Sequence, residues 1–250
     1  MIPKFIHYCW FGEKPKSESA LKCIESWKKH APDFEIIEWN ENNTKRYQNK
    51  FYKDSYRKGN YAFVSDTIRV SVLYDLGGIY MDLDMMLLKP LNNLVQYDFF
   101  SGYEVNDRVA YGLFGGLPRH RYFEKMRNFY ESTCFNQFSL PVITHTFSAV
   151  IHRSTLLDNE RIFDSEYFYA LSYKDRQKDY ESFIKPNSLA IHLWDHSWLQ
   201  KKQKDSICNY IKNIQIVAVD YFFYNYPNSY FRRYIRGFSR KIAQKLLSRK

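Results

Sequence analysis

Asp82 and Asp84 stand one position apart in the run Gly77-Gly78-Ile79-Tyr80-Met81-Asp82-Leu83-Asp84, among residues that are otherwise mostly apolar. Read as a strand, the run sends Tyr80, Asp82 and Asp84 to one face and Ile79, Met81 and Leu83 to the other. Two carboxylates this close repel each other and are costly to desolvate unless a cation lies between them. Oxygen ligands of this kind suit Mg2+ or Mn2+. The alternation also permits a half-exposed edge strand with two solvated aspartates. Upstream, Asp66 and Arg69 lie one helical turn apart and can share a surface. An arginine fork bonds phosphate or hydroxyl pairs well, but the same spacing also gives an ordinary surface ion pair worth little.

The elements around these residues read as follows. Residues 2–9 form a buried strand, and Ser17 or Ser19 caps a helix that Pro32 stops after about His30. Residues 34–39 alternate as a second strand, so the chain opens strand, helix, strand, as in a parallel α/β sheet. Residues 41–60 are polar, irregular or briefly helical. Residues 61–76 make a helix with an apolar face of Phe63, Ile68, Val72 and Leu76, which Gly77-Gly78 ends. Strands are expected over 97–103 and 109–116, and a helix over 119–135. Farther on, helices are expected at about 154–158 and 175–183, and a short strand over 190–194.

The order Ser65-Asp66-x-x-Arg69 followed by Gly77-Gly78-Ile79-Tyr80-x-Asp82-x-Asp84 resembles the sugar-transferase family with the Asp-x-Asp motif. That family includes yeast-type mannosyltransferases, bacterial capsule and lipopolysaccharide transferases and, more distantly, clostridial glucosylating toxins. The likeness extends to residues 2–12, Ser26-Trp27 and Glu38-Trp39-Asn40, and fades after residue 92. It implies a GT-A-like, Rossmann-like mixed α/β sheet flanked by helices. It also implies retaining transfer from a nucleotide-diphosphate sugar, with Mn2+ or Mg2+ as cofactor.

By the same resemblance Asp82 and Asp84 hold the metal, and Asp66 and Arg69 hold the donor's hydroxyls and diphosphate. Tyr80 contacts the donor, and Trp10 matches the tryptophan that stacks on uracil, which favours a UDP-sugar over a GDP-sugar. The phrase His192-Leu193-Trp194-Asp195-His196-Ser197-Trp198 is similar to the family's late His…Ser-Trp element. It makes His192 the expected third metal ligand, with His196 and Asp195 as substitutes, and places Ser197 and Trp198 over the pyrophosphate or sugar. Residues 140–146 depart from the family's Gly-Pro before a threonine, so no acceptor residue is assigned.

At 250 residues the chain can bury a substantial core. Its four cysteines lack metal or disulfide spacing and read as reduced thiols in the cytosol. Neither a secretory signal nor a membrane-spanning run is found. Of the net charge of +10, eight basic residues lie in 231–250 without Asp or Glu, leaving +2 for the other 230 residues. There Phe231, Ile235, Phe238, Ile242 and Leu246 recur at helical spacing. The pattern predicts an interfacial helix on an anionic membrane. A helix docked on the body and a nucleic-acid arm are the alternatives, and no nucleic-acid partner is expected.

The expectation is therefore one transferase domain over 1–225 with a basic tail over 226–250. It sits peripherally on the cytoplasmic face of the cell membrane and transfers a hexose or N-acetylhexosamine to a glycan or lipid-linked acceptor of a bacterial surface polysaccharide. The rivals are a toxin-like transferase that modifies a protein and a non-enzymatic sugar- or anion-binding module.

Overall fold

The computed structural model describes residues 1–105, 108–135, 143–152, 154–195 and 228–247, with single positions between 207 and 222. The chain opens with β1 (Phe5–Cys9), α1 (Glu18–His30) and β2 (Glu35–Trp39), as the sequence predicts. Ser17 Oγ accepts the Ala20 N–H at 3.1 Å to start α1, and Lys28, Lys29 and His30 gather at its negative end. After α2 (Lys50–Arg57) comes α3 (Tyr61–Leu76). Only part of its predicted apolar face is distinctive, because nine residues from Val64 to Leu73 are buried, Asp66 and Arg69 among them. This helix runs through the core rather than along a surface. Gly77, at φ 65°, ends it with an N–H bond of 2.8 Å to the Leu73 carbonyl.

The expected strand over 78–84 breaks in two, into β3 (Gly78–Met81) and β4 (Met85–Leu87). Between them the Asp82 N–H bonds the Gly112 carbonyl at 2.7 Å and the Met85 N–H bonds the Asp82 carbonyl at 2.9 Å. The acid pair therefore sits on a turn, and its convergence comes from that turn rather than from strand alternation. β5 (Phe99–Val105), β6 (Arg108–Gly116) and α4 (Arg121–Ser132) fall close to their predicted places. They are followed by α5 (Ile143–His152), β7 (Glu160–Phe163), β8 (Ala190–His192) and α6 (Asn228–Leu247).

Neither helix expected at 154–158 or 175–183 forms. In the first, the Leu157 N–H is taken by Glu160 Oε2 at 3.0 Å, just ahead of β7. The second holds 3-10 turns at Tyr173–Asp175 and Tyr180–Phe183, where Asp179 captures the Glu181 N–H at 3.1 Å. Short polar side chains that bond nearby backbone compete with helix in this way.

Six strands form one mixed sheet in the order β2-β1-β3-β6-β5-β7. β1 is parallel to β2 and β3, β6 is antiparallel to β3 and β5, and β7 is parallel to β5. Helix α1 and the separate β4–β8 pair bury one face, through Trp27, Ile79, Met81, Met85 and Ala190. Helices α2, α3, α4 and α5 bury the other, through Phe51, Ile68, Phe123 and Phe147. This is the flanked mixed α/β sheet that the sequence implies.

Candidate active site

The carboxyl ends of the parallel strands β1, β2 and β3 share one edge of the sheet, the edge where open α/β sheets place ligands. The acid turn emerges there from β3. Its position is fixed from α1: Trp27 Nε1–H donates to the Met85 carbonyl at 2.7 Å, and Ser26 Oγ accepts the Leu87 N–H at 2.9 Å. The Ser26-Trp27 pair thus anchors β4 rather than touching the site. β8 then pairs antiparallel with β4, setting His192 opposite Met85, while the Leu193 N–H bonds the Asp84 carbonyl at 2.8 Å.

This register brings His192 Nε2 to 3.0 Å from Asp84 Oδ1. One potential ligand atom each from Asp82, Asp84 and His192 falls within a span of 4.8 Å. Neighbouring ligands on an octahedral cation, each about 2.1 Å from the ion, lie about 3 Å apart, so the spacing suits one small dication. His192 is buried, and its Nδ1 has no hydrogen-bond partner among the described residues. Gly112 lets the carboxylate pack tightly on β6: a Cβ there would stand 2.7 Å from Asp82 Oδ2, closer than contact allows.

Arg69 spans the acids behind that cluster. Its Nη2 lies 3.1 Å from Asp66 Oδ1 and 3.2 Å from Asp82 Oδ1, and its Nη1 donates to the Tyr111 carbonyl. The guanidinium packs against the rings of Tyr80, 4.4 Å away, and Tyr111, 4.8 Å away. Tyr80 in turn donates its hydroxyl to Asp82 Oδ1 at 3.1 Å. The pair is therefore a buried network, and the surface ion-pair reading is set aside.

Burial pushes the Asp66 carboxyl up to about 7 against the pull of Arg69, with Asp82 adding to the rise. Burial raises Asp82 too, with Arg69 opposing and the like charge of Asp84 reinforcing. Burial alone would lower His192, but the adjacent Asp84 carboxylate outweighs it and the imidazole is raised. Three acids face one arginine here, and the excess negative charge matches a divalent cation. The oxygen-rich donor set and the orphaned imidazole nitrogen fit such an ion.

The family described as glycosyltransferase sugar-binding region containing DXD motif matches residues 17–100, which hold Asp66, Arg69, Asp82 and Asp84. Over this region the chain is similar to the DXD glycosyltransferases. The human alpha-1,4-N-acetylglucosaminyltransferase is 28% identical over 149 residues, 53% of this chain and 42% of that protein. Inositol phosphoceramide mannosyltransferase 2 of Schizosaccharomyces pombe is 32% identical over 135 residues, 50% of this chain and 37% of its own length. The chain thus spans about two fifths of these curated relatives. Among solved structures, PaToxG glycosyltransferase is 18% identical at a TM-score of 0.49, covering 61% of this chain and 69% of its own. GlyE of Streptococcus pneumoniae is 10% identical at a TM-score of 0.47, covering 81% and 58%.

Of the residues the sequence nominates, the fold converges Asp66, Arg69, Tyr80, Asp82, Asp84 and His192. Trp10 stands at the carboxyl end of β1, its indole N–H donating to the Lys14 carbonyl at 2.8 Å. The Lys16 ammonium lies 5.9 Å over its ring and pairs with Glu38 at 2.7 Å. Asp195 accepts from Ser17 Oγ at 2.8 Å, tying β8 to the start of α1. His196, Ser197 and Trp198 lie outside the described residues. Two wall residues escaped the sequence reading, Tyr169 and Gly112, and no motif marks either. Trp194, which the His192–Trp198 phrase contains without assigning it a role, stands at φ 57° and sets its ring 4.0 Å from that of His192.

Proposed function

We propose that this glycosyltransferase is metal-dependent and retaining, and that it takes a hexose or N-acetylhexosamine from a nucleotide-diphosphate sugar, with UDP favoured over GDP. The convergence of Asp82, Asp84 and His192 within 4.8 Å beside Arg69 carries this reading. Mn2+ or Mg2+ held by these three residues would offset the charge that develops on the departing diphosphate. Asp66 and Arg69 orient the donor's hydroxyls and phosphates, Tyr80 fixes Asp82, and Trp10 offers an aromatic face to the base. By the family resemblance Ser197 and Trp198, which lie outside the described residues, would cover the pyrophosphate or frame the donor sugar.

The site's carboxylates are engaged: Asp66 by Arg69, Asp82 by Arg69 and Tyr80, Asp84 by His192. This supports a same-face displacement in which the leaving phosphate oxygen takes the acceptor's proton, with no covalent enzyme intermediate. The acceptor we infer is a glycan or lipid-linked saccharide of bacterial surface-polysaccharide assembly at the cytoplasmic face of the membrane. A relative named for inositol phosphoceramide supports a lipid-linked acceptor. So does the basic tail over 226–250, which we read as a membrane-binding appendage to the domain over 1–225. No described helix is long and apolar enough to cross a membrane.

A panel of nucleotide sugars tests this reading. We expect Mn2+-stimulated release of nucleoside diphosphate from one donor class, with the transferred sugar keeping the donor's anomeric configuration by NMR. An inverted product would overturn the retaining mechanism. A panel with no turnover above buffer would overturn the enzyme reading.

A further inference from the structure

We propose that Tyr169 binds the donor, its phenol O–H donating a hydrogen bond to a phosphate oxygen of the nucleoside diphosphate seated beside Asp82. This rests on the functional reading above. Tyr169 is only 4% exposed, yet its hydroxyl makes no hydrogen bond of normal geometry among the described residues. A hydroxyl shut away from water without a partner is costly, so such groups are rare and call for a specific explanation.

The placement of the oxygen supplies that explanation. A Cβ built on Gly112 would meet Asp82 Oδ2 at 2.7 Å and the Tyr169 hydroxyl at 3.1 Å. Both oxygens therefore crowd the same face of Gly112, which sets the Tyr169 hydroxyl beside the Asp82 carboxylate. The ring stands edge-on to His192, with centroids 5.4 Å apart, and 6.4 Å from Trp194. Tyr169 is thus a wall of the acid and histidine cluster, with its polar end turned toward Asp82. It arrives from the loop after the 3-10 turn Ser165–Tyr167, an element unconnected with the Asp-x-Asp turn.

The chemistry beside Asp82 selects the partner. A phenol is neutral at working pH and offers its O–H as a donor. Water bound to a cation directs its own hydrogens outward and is a poor acceptor. A phosphate oxygen is a strong, charged acceptor and bonds a neutral donor well. Tyr169 would then contact the ligand without contributing to the metal's charge balance.

Calorimetric titration of uridine and guanosine diphosphate, each with saturating Mn2+, separates the possibilities in wild type, Tyr169→Phe and Asp84→Ala. Phenylalanine keeps the ring contacts, so its melting curve should overlay that of wild type. We expect Tyr169→Phe to weaken the preferred nucleotide by about tenfold or more, the range for a hydrogen bond to a charged group. Mn2+ affinity without nucleotide should be unchanged in this variant. Wild-type nucleotide affinity in Tyr169→Phe, with binding lost in Asp84→Ala, would overturn the role of Tyr169 alone. Weakened Mn2+ binding without nucleotide would move the phenol's role to the ion and also overturn it. No nucleotide binding by wild type, or full binding by Asp84→Ala, would overturn the functional reading and this inference with it.

Discussion

One guanidinium holds together groups from three elements. Arg69 joins Asp66 on its own helix, Asp82 beyond β3 and the Tyr111 carbonyl on β6; Arg69 and Asp66 are buried, while the Asp82 side chain is 30% exposed. Removing one partner from a buried ion network leaves the others uncompensated, at about 3–5 kcal/mol. We therefore expect Arg69→Met to lose about that much stability in urea denaturation at pH 8. The loss should shrink at pH 5.5, because Asp66, already raised to about 7, can then escape its penalty by taking a proton. An equal loss at both pH values would argue against Asp66 as the stranded charge. At this scale the sequence was informative wherever chemistry repeats as a pattern. Asp82, Asp84, Asp66 and Arg69 are close in sequence and mark themselves by type. Tyr169 and Gly112 do not, because their role comes from where distant segments meet and nothing in their neighbours announces it.

At the scale of elements, the junction of β1, β2 and α3 rests on His7. Trp39 Nε1–H donates to His7 Nδ1 at 3.1 Å, so His7 Nε2 carries the proton and donates to the Gly77 carbonyl at 2.9 Å. The bond fixes the glycine that ends α3 and launches β3 toward the acid turn. Burial drives the His7 pKa down to about 4, with the Gly77 bond opposing. A lowered histidine favours the neutral ring in the fold, so the unfolded chain takes up the proton first. The contribution is full above pH 6.5 and is lost as pH falls toward 4, on the order of 3 kcal/mol in all. Wild type should therefore lose stability over that window by this amount more than His7→Gln, as measured by urea denaturation at several pH values. Parallel slopes for the two proteins would contradict it.

The same element scale shows why some boundaries were hidden. The β4–β8 pairing joins residues about a hundred positions apart, so the strand break after Met81 depends on a partner that local periodicity does not reveal. Residues 175–183 have helix-compatible composition, but Asp179 takes the Glu181 N–H and diverts the backbone into a short turn. Conversely, β1, α1 and β2 were legible because caps, Pro32 and apolar runs agree with one another.

Over the whole molecule, charge and apolar surface are unevenly shared. Helix α6 forms as its periodicity predicts. Tyr234 is buried and bonds the Tyr210 carbonyl, and Phe238 stacks on Tyr210 at 5.6 Å. Farther along, Ile242, Leu246 and Leu247 are 38%, 64% and 73% exposed among basic residues. One half of the helix thus docks on its own chain while the other presents an amphipathic face. Basic groups near an anionic surface contribute about 1 kcal/mol each, so replacing Arg240, Lys241 and Lys245 with glutamate should cut cosedimentation with phosphatidylserine vesicles by about a hundredfold or more. Binding to neutral vesicles should stay low in both proteins. Equal cosedimentation would remove the tail from the membrane.

The central claim is that Asp82, Asp84 and His192 hold one divalent cation on which the donor's diphosphate rests. Mn2+ titration followed by electron paramagnetic resonance, in parallel with turnover of the preferred nucleotide sugar, tests it most directly. We predict one Mn2+ per chain in wild type, turnover that a chelator abolishes and Mn2+ restores, and loss of both Mn2+ and turnover in Asp84→Ala. Full Mn2+ occupancy and undiminished turnover in Asp84→Ala would contradict it.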